Sequence, residues 1–308
     1  MNRILIGTLL LLLLLLLQCT VGEPRRQQAE VPRGSDFSDW NIVFQEQSRI
    51  VDFQVFHTGE VEVPVNGMLN RELDPGEAET MFVDVYAFWF CHKVRGCFMI
   101  DSGLDTSFGQ GRPGNVHGLL ASSYIISSRQ KQGTDILSHL NKDNRKSRLQ
   151  GVFFTHLHGD HSSGIPAISG DPELKNLDFY VAEGEPYINL WLLYQGDHLD
   201  RVESLLELPV RKGVEMPVLG TCLDVFGDGS FWAIHTPGHS QEHLSYLVVT
   251  DEGPVLLTGD ASHTRTGFEN GIEPGWVSDR EQAVKSLQKL RDFSNRFPEV
   301  RVIFGHQR

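Results

Sequence analysis

The sequence predicts an α/β sandwich, two β-sheets facing each other with helices outside. Two observations carry that reading. Groups of short apolar runs alternate with single helical patterns in two halves of the chain, as expected of sheets covered by helices. In both halves, runs stop just short of a metal-binding type of residue. Val152-Phe153-Phe154 precedes His156, Phe231-Trp232-Ala233-Ile234 precedes His239, Val255-Leu256-Leu257 precedes Asp260, and Val302-Ile303-Phe304 precedes His306. Strand ends that aim polar groups at one crevice are how α/β proteins build active sites.

Taken in order, residues 4–17 are apolar but for Gly7 and Thr8, with Arg3 before them. That is short for a membrane span and the right length for a signal-peptide core. Thr20 and Gly22 supply small residues before a cut at Glu23, so residues 1–22 read as a signal peptide. The protein is then exported, periplasmic or secreted, with no membrane span left. Cys19 offers lipid anchoring as the minor alternative, although Gln18 is a poor residue to precede a lipidated cysteine. About 286 residues remain, enough for one domain with a well-buried core. Residues 23–40, charged and containing Pro and Gly, read as a loose lead-in to a domain over 41–308. No internal repeat is present.

Strands are expected around 50–56, 61–65, 82–91 and 97–100. Cys91 and Cys97 flank a polar connection between two apolar runs that read as a hairpin. They can bridge if their side chains share a face, and the sequence leaves that open. Cys222 reads as a small buried hydrophobe. The segment 103–127 is a long loop that keeps Phe108, Leu119, Leu120, Tyr124, Ile125 and Ile126, as a lid or a packed connection would. A helix is expected over 132–142, a strand over 177–182, a helix over 185–194, and two strand pairs between 218 and 250. Ser278-Asp279-Arg280-Glu281 reads as a capping box. The helix it opens sets Ala283, Val284, Leu287, Leu290 and Phe293 on one apolar face.

The chemistry concentrates in Thr155-His156-Leu157-His158-Gly159-Asp160-His161. Imidazole and carboxylate suit Zn²⁺, with iron and manganese accepting the same ligands. His156 and His158, two apart on extended backbone, can point the same way. Four ligands here are too many for one tetrahedral ion that keeps an open position, so two ions are implied. With 27 Lys+Arg against 40 Asp+Glu, the net charge of −13 repels phosphate backbones. No basic run offsets it, so nucleic acid is not an expected partner.

The residues Asp101, His156, His158, Asp160, His161, His239, Asp260 and His306, in that order, resemble the pattern of the metallo-β-lactamase superfamily, a four-layer αβ/βα fold. The resemblance implies that His156, His158 and His239 hold a first metal. It places Asp160, His161 and His306 on a second, with Asp260 bridging and Asp101 orienting a ligand histidine. Zinc β-lactamases commonly carry a cysteine ligand where this chain has Asp260, which argues against lactam hydrolysis.

Within the superfamily, Leu256-Leu257-Thr258-Gly259-Asp260-Ala261-Ser262-His263 is similar to the corresponding segment of the N-acyl-homoserine lactone lactonases. These usually have a tyrosine three residues after the aspartate, set to hydrogen-bond the substrate; here His263 stands there. The implied reaction is attack on a carbonyl by a metal-bridging hydroxide, opening a lactone such as a quorum-sensing signal. Asp160 would also act on protons and His263 would donate to a substrate oxygen. Phe108 and Leu119 would touch the acyl chain. An organophosphate or aryl-ester hydrolase is the rival enzyme, and a non-catalytic metal-binding protein the rival from another class.

Overall fold

The structure, a computed structural model, describes residues 24–32, 36–72, 76, 78–111, 113–188 and 197–307. The expected signal segment with Cys19 lies outside the described residues, as does most of the helix expected over 185–194; its opening residues 185–188 are irregular. The described strands are β1 (Arg25–Gln28), β2 (Ile50–Pro64), β3 (Thr80–His92), β4 (Gly96–Ile100), β5 (Ser127–Arg129), β6 (Leu149–Phe153), β7 (Asp178–Ala182), β8 (Ser204–Leu208), β9 (Val214–Met216), β10 (Gly220–Asp224), β11 (Phe231–His235), β12 (Leu244–Thr250), β13 (Gly253–Leu257) and β14 (Arg301–Ile303).

The described strands pair into one fourteen-stranded sheet that folds as two halves. One runs β1-β8-β7-β6-β4-β3-β2, with β5 also on β2; the other runs β14-β13-β12-β11-β10-β9. The halves touch edge to edge through a single pair, Ile50 opposite Thr250. Side-chain alternation turns them into four layers. Phe88, Phe90, Phe98 and Phe153 from the first half meet Phe231, Ala233, Tyr246 and Leu257 from the second in one inner core. Their neighbours point outward. Ala87, Trp89, Met99 and Val152 pack under Ile136, Leu140, Ile165 and Ile168. Trp232, Ile234 and Leu247 pack under Leu287, Leu290 and Phe293 of the helix Arg280–Arg296. Both faces of the central strands are therefore buried, each large apolar side chain contributing roughly 1.5–3 kcal/mol.

Several expectations need correction. The lead-in is partly structured: β1 pairs in parallel with β8, and Arg26 bonds Glu207 at 3.1 Å. Trp40, at its end, is fully buried with its indole N–H on the Pro217 carbonyl at 2.9 Å. The two runs at 50–56 and 61–65 are one strand, β2, bent by irregularities between Val51 and Gln54 and between His57 and Gly59. Bulges of this kind break a period-2 pattern without ending the strand.

The helix expected from 132 spans only Ile136–Leu140, because Asp135 caps it by accepting from Ser138 N. The long C-terminal helix starts one residue later than the expected box, on Asp279, which accepts from Gln282 N at 3.0 Å. Val284 falls off its buried face and is 45% exposed. Cys91 and Cys97 face each other across β3 and β4 and are joined as a disulfide. Cys222 is free and buried, and burial pushes its thiol up to about 12.

Candidate metal centre and substrate pocket

The ligand-type side chains arrive from strand ends in both halves. After β6, Leu157 is buried under the first half of the sheet while its neighbours His156 and His158 turn the other way. His158 stands at the start of the short helix Gly159–Ser162, which presents Asp160 and His161. His239 comes from the β11–β12 loop, Asp260 from the turn Gly259–Ala261 after β13, and His306 from just beyond β14. Gly305 is required there: a Cβ would collide with Asp260 Oδ1 and the Gly259 carbonyl.

The donor atoms of His156, His158 and His239 lie within 4.8 Å of one another, as do those of Asp160, His161, Asp260 and His306. Asp260 Oδ2 sits between the groups. It lies 3.7 Å from His156 Nε2, 3.3 Å from both His161 Nε2 and His239 Nε2, and 3.4 Å from His306 Nε2. His306 Nε2 is also 3.2 Å from Asp160 Oδ2. Yet His156, His161, His263 and His306 Nε2 and Asp260 Oδ1 are buried with no hydrogen-bond partner. Each orphan of this kind costs about 1–3 kcal/mol. Five converging on one spot fit cations held between them, and an all-nitrogen-and-oxygen set fits divalent first-row ions.

The far sides of the rings are anchored. His161 Nδ1 meets Asp101 Oδ2 at 2.8 Å, and Asp101 Oδ1 accepts from Thr155 N at 2.8 Å. His239 Nδ1 donates to the Trp276 carbonyl at 3.0 Å, and His306 Nδ1 to the Asp84 carbonyl at 2.8 Å. A carbonyl only accepts, so Nδ1 carries the proton and Nε2 keeps its lone pair for the centre. Burial drives His156 and His239 well below the usual imidazole range. Burial acts the same way on His306, but Asp260 and Asp160 outweigh it and raise that ring to about 10.

Two supporting residues escaped the sequence reading. His243 is fully buried; its Nε2 accepts from Asp260 N at 2.9 Å and its Nδ1 bonds Thr236 Oγ1 at 2.9 Å. Burial pushes it down to about 3, keeping it a neutral acceptor. Gly259, at φ +52°, leaves room for that ring. The signal available was a histidine four residues after His239, at the mouth of β12. Glu185 is buried and ties the two ligand loops together. It accepts from Leu157 N at 3.3 Å, Ser240 Oγ at 2.9 Å and Glu242 N at 3.1 Å.

Above the donors lies a cavity of ≈ 160 Å³, walled by Val63, Met68, Leu120, Tyr124, Ile125 and Trp276 and floored by His158, Asp160, His239, Asp260 and His263. Neither expected acyl contact lines it. Phe108 is fully buried behind the cavity wall, in the cluster that also holds Val61, Leu104, Val116 and the wall residues Val63, Met68 and Ile125. Leu119 is 77% exposed. The short helix Ala121–Tyr124 sets Leu120 and Tyr124 on one face, four residues apart, and leaves Leu119 outside.

A sandwich whose strand ends gather imidazoles and carboxylates beneath an apolar cavity defines a metal-dependent hydrolase. The chain belongs to the metallo-β-lactamase superfamily, whose sequence pattern matches residues 80–306. It is 39% identical over 247 residues to the N-acyl homoserine lactonase AttM of Agrobacterium fabrum, covering 77% of this chain and 87% of that protein. With the N-acyl homoserine lactonase of a Bacillus species it shares 27% over 243 residues, 77% of this chain and 86% of the relative. A solved N-acyl homoserine lactone hydrolase, with the product N-hexanoyl-L-homoserine at its catalytic metal centre, superposes at a TM-score of 0.64. At 19% identity, over 85% of this chain and 94% of the other, that likeness establishes the fold.

Proposed function

We propose that this enzyme opens lactone rings, N-acyl-homoserine lactones first among them, with two divalent ions. The observation that carries the reading is the apolar cavity opening directly onto the buried donor cluster. Such a site matches a substrate with a polar ring at one end and an acyl chain at the other. The kinship with lactonases supports the same class.

His156, His158 and His239 would hold one ion and Asp160, His161 and His306 the other, with Asp260 between them; zinc leads, and iron or manganese suits the same ligands. Ions held there supply Lewis acidity and lower the pKa of water to roughly 7. The cavity walls bury the acyl chain, each buried methylene contributing about 0.8 kcal/mol. Asp160, at the cavity floor beside His306, is placed to take the proton of the attacking water and return it to the leaving alkoxide.

The apolar run at 4–17 and the Cys91–Cys97 disulfide support export to an oxidising compartment. Among the described residues no helix is long and apolar enough to cross a membrane.

The test is ring opening of short- and long-chain N-acyl-homoserine lactones by purified protein, followed by mass spectrometry. Turnover should fall on the order of 10³-fold in Asp260→Ala. Intact lactones, with rapid cleavage of phosphotriesters or aryl esters by the same preparation, would reject the reading.

A further inference from the structure

We infer that His263 is an eighth protein ligand of the metal centre, not a hydrogen-bond donor to the substrate. The inference rests on the two-ion reading above and extends it to a residue outside the expected ligand set.

His263 Nδ1 lies 2.9 Å from the Met68 carbonyl, which can only accept, so the ring proton sits on Nδ1. Nε2 is therefore the nitrogen turned to the cluster, where it is buried and makes no hydrogen bond. His306 and His239 share that anchoring, with Nδ1 on a backbone carbonyl and Nε2 facing the cluster, where His239 Nε2 lies 2.9 Å from His158 Nδ1. This is how proteins fix a histidine for coordination.

The anchors of His263 and His239 lie on two backbone segments that are hydrogen-bonded to each other. Trp276 N and Gly275 N both bond the Gly67 carbonyl at 3.1 Å, which ties the segment behind His263 to the one behind His239. The two rings stand 5.1 Å apart at 88°. His263 Nε2 lies 3.1 Å from Asp260 Oδ2, nearer than any other ligand imidazole, but makes no hydrogen bond. The donors of His239, Asp260 and His263 fall within 4.8 Å of one another. Short spacing without a hydrogen bond is what two ligands on one cation show. The outcome is a centre richer in nitrogen on the side of His239.

The experiment titrates metal-free full-length protein with Zn²⁺ against a chromophoric chelator, then records the visible absorption of the Co²⁺-loaded form. His263→Gln and His263→Tyr are compared with the unaltered chain, and melting of each metal-free form checks folding. Loss of a ligand should weaken one of the two ions by about tenfold or more in both variants and shift the Co²⁺ bands. Unchanged affinity and spectra, with only kcat reduced, would overturn the assignment and make His263 a substrate contact. If one variant fails to fold, the other decides. An unaltered protein that takes up no ions would instead reject the two-ion reading itself.

Discussion

Around the metal centre, four rings have the nitrogen turned away from it fixed: Asp101 stands behind His161, and carbonyls behind His239, His263 and His306. On the roof, Leu120 and Tyr124 are each 43% exposed and Ile188 is 45% exposed. Tyr124 leans edge-on against Trp276 at 5.1 Å. The floor is set by directional bonds in a dry environment, where a misplaced proton or a lost acceptor is costly. The roof is set by contact area, which tolerates change of shape. Chemistry should therefore be brittle and chain-length preference soft, and the two should respond to different mutations.

The largest effect expected comes from a residue that belongs to neither surface. Phe108→Ala removes a fully buried ring from the core behind the roof and should cost about 3–5 kcal/mol of stability. The preference between short- and long-chain lactones should stay unchanged. Leu120→Ala should do the reverse, sparing stability and raising KM for long chains about three- to tenfold. Melting curves and chain-length series on both variants make the comparison. A changed preference in Phe108→Ala would place that ring in the substrate path after all.

This contrast also shows what could be read from the sequence. The floor was legible because each ligand follows an apolar strand, and strand ends converge by the geometry of a sandwich. The four layers were legible because Ala87-Phe88-Trp89-Phe90 and Phe231-Trp232-Ala233-Ile234 fill both faces of their strands. The roof was not, because a four-residue helix is too short for a period, so Leu119 and Leu120 look alike until the turn is seen. β1 escaped for another reason: Arg-Arg-Gln-Gln carries no strand signature, and its pairing with the β8 segment is a matter of backbone and two ion pairs, Arg25–Glu203 and Arg26–Glu207. His243 and Glu185 escaped because they touch the ligand loops from behind, and such contacts exist only after folding.

The next effect tests the floor through its hydrogen bonds. Asp101→Asn keeps size and shape, and asparagine tolerates the left-handed φ of 56° at this position. It cannot accept from both Thr155 N and His161 Nδ1, as the carboxylate does. Its amide would face one of these donors and drive His161 toward the tautomer with the proton on Nε2. Affinity for one ion should fall about 10- to 100-fold, measured by chelator competition, and the metal-free protein should lose about 1–3 kcal/mol of stability for the buried acceptor removed. An unchanged affinity would mean that the orientation of His161 is set elsewhere.

The smallest effect concerns the clamp between the two ligand loops. Burial raises Glu185 to about 7, against an ordinary value of 4.5, although the hydrogen bond from Ser240 and those from Leu157 N and Glu242 N pull the other way. Between those two values the folded protein binds a proton that the unfolded chain has released. Stability contributed by this group is therefore full below about 4.5, declines as pH rises through that window, and is level above about 7. Glu185→Gln has no such proton, so its own melting temperature should lack that part of the decline between pH 5 and pH 8. The variant also loses acceptors for Ser240 and Glu242, so its curve should start lower at pH 5 and converge on the unaltered protein by pH 8. Parallel curves would show that the carboxylate is already ionised in the fold at pH 5, held by its three donors against burial. The clamp would then be as rigidly polar as the floor it supports.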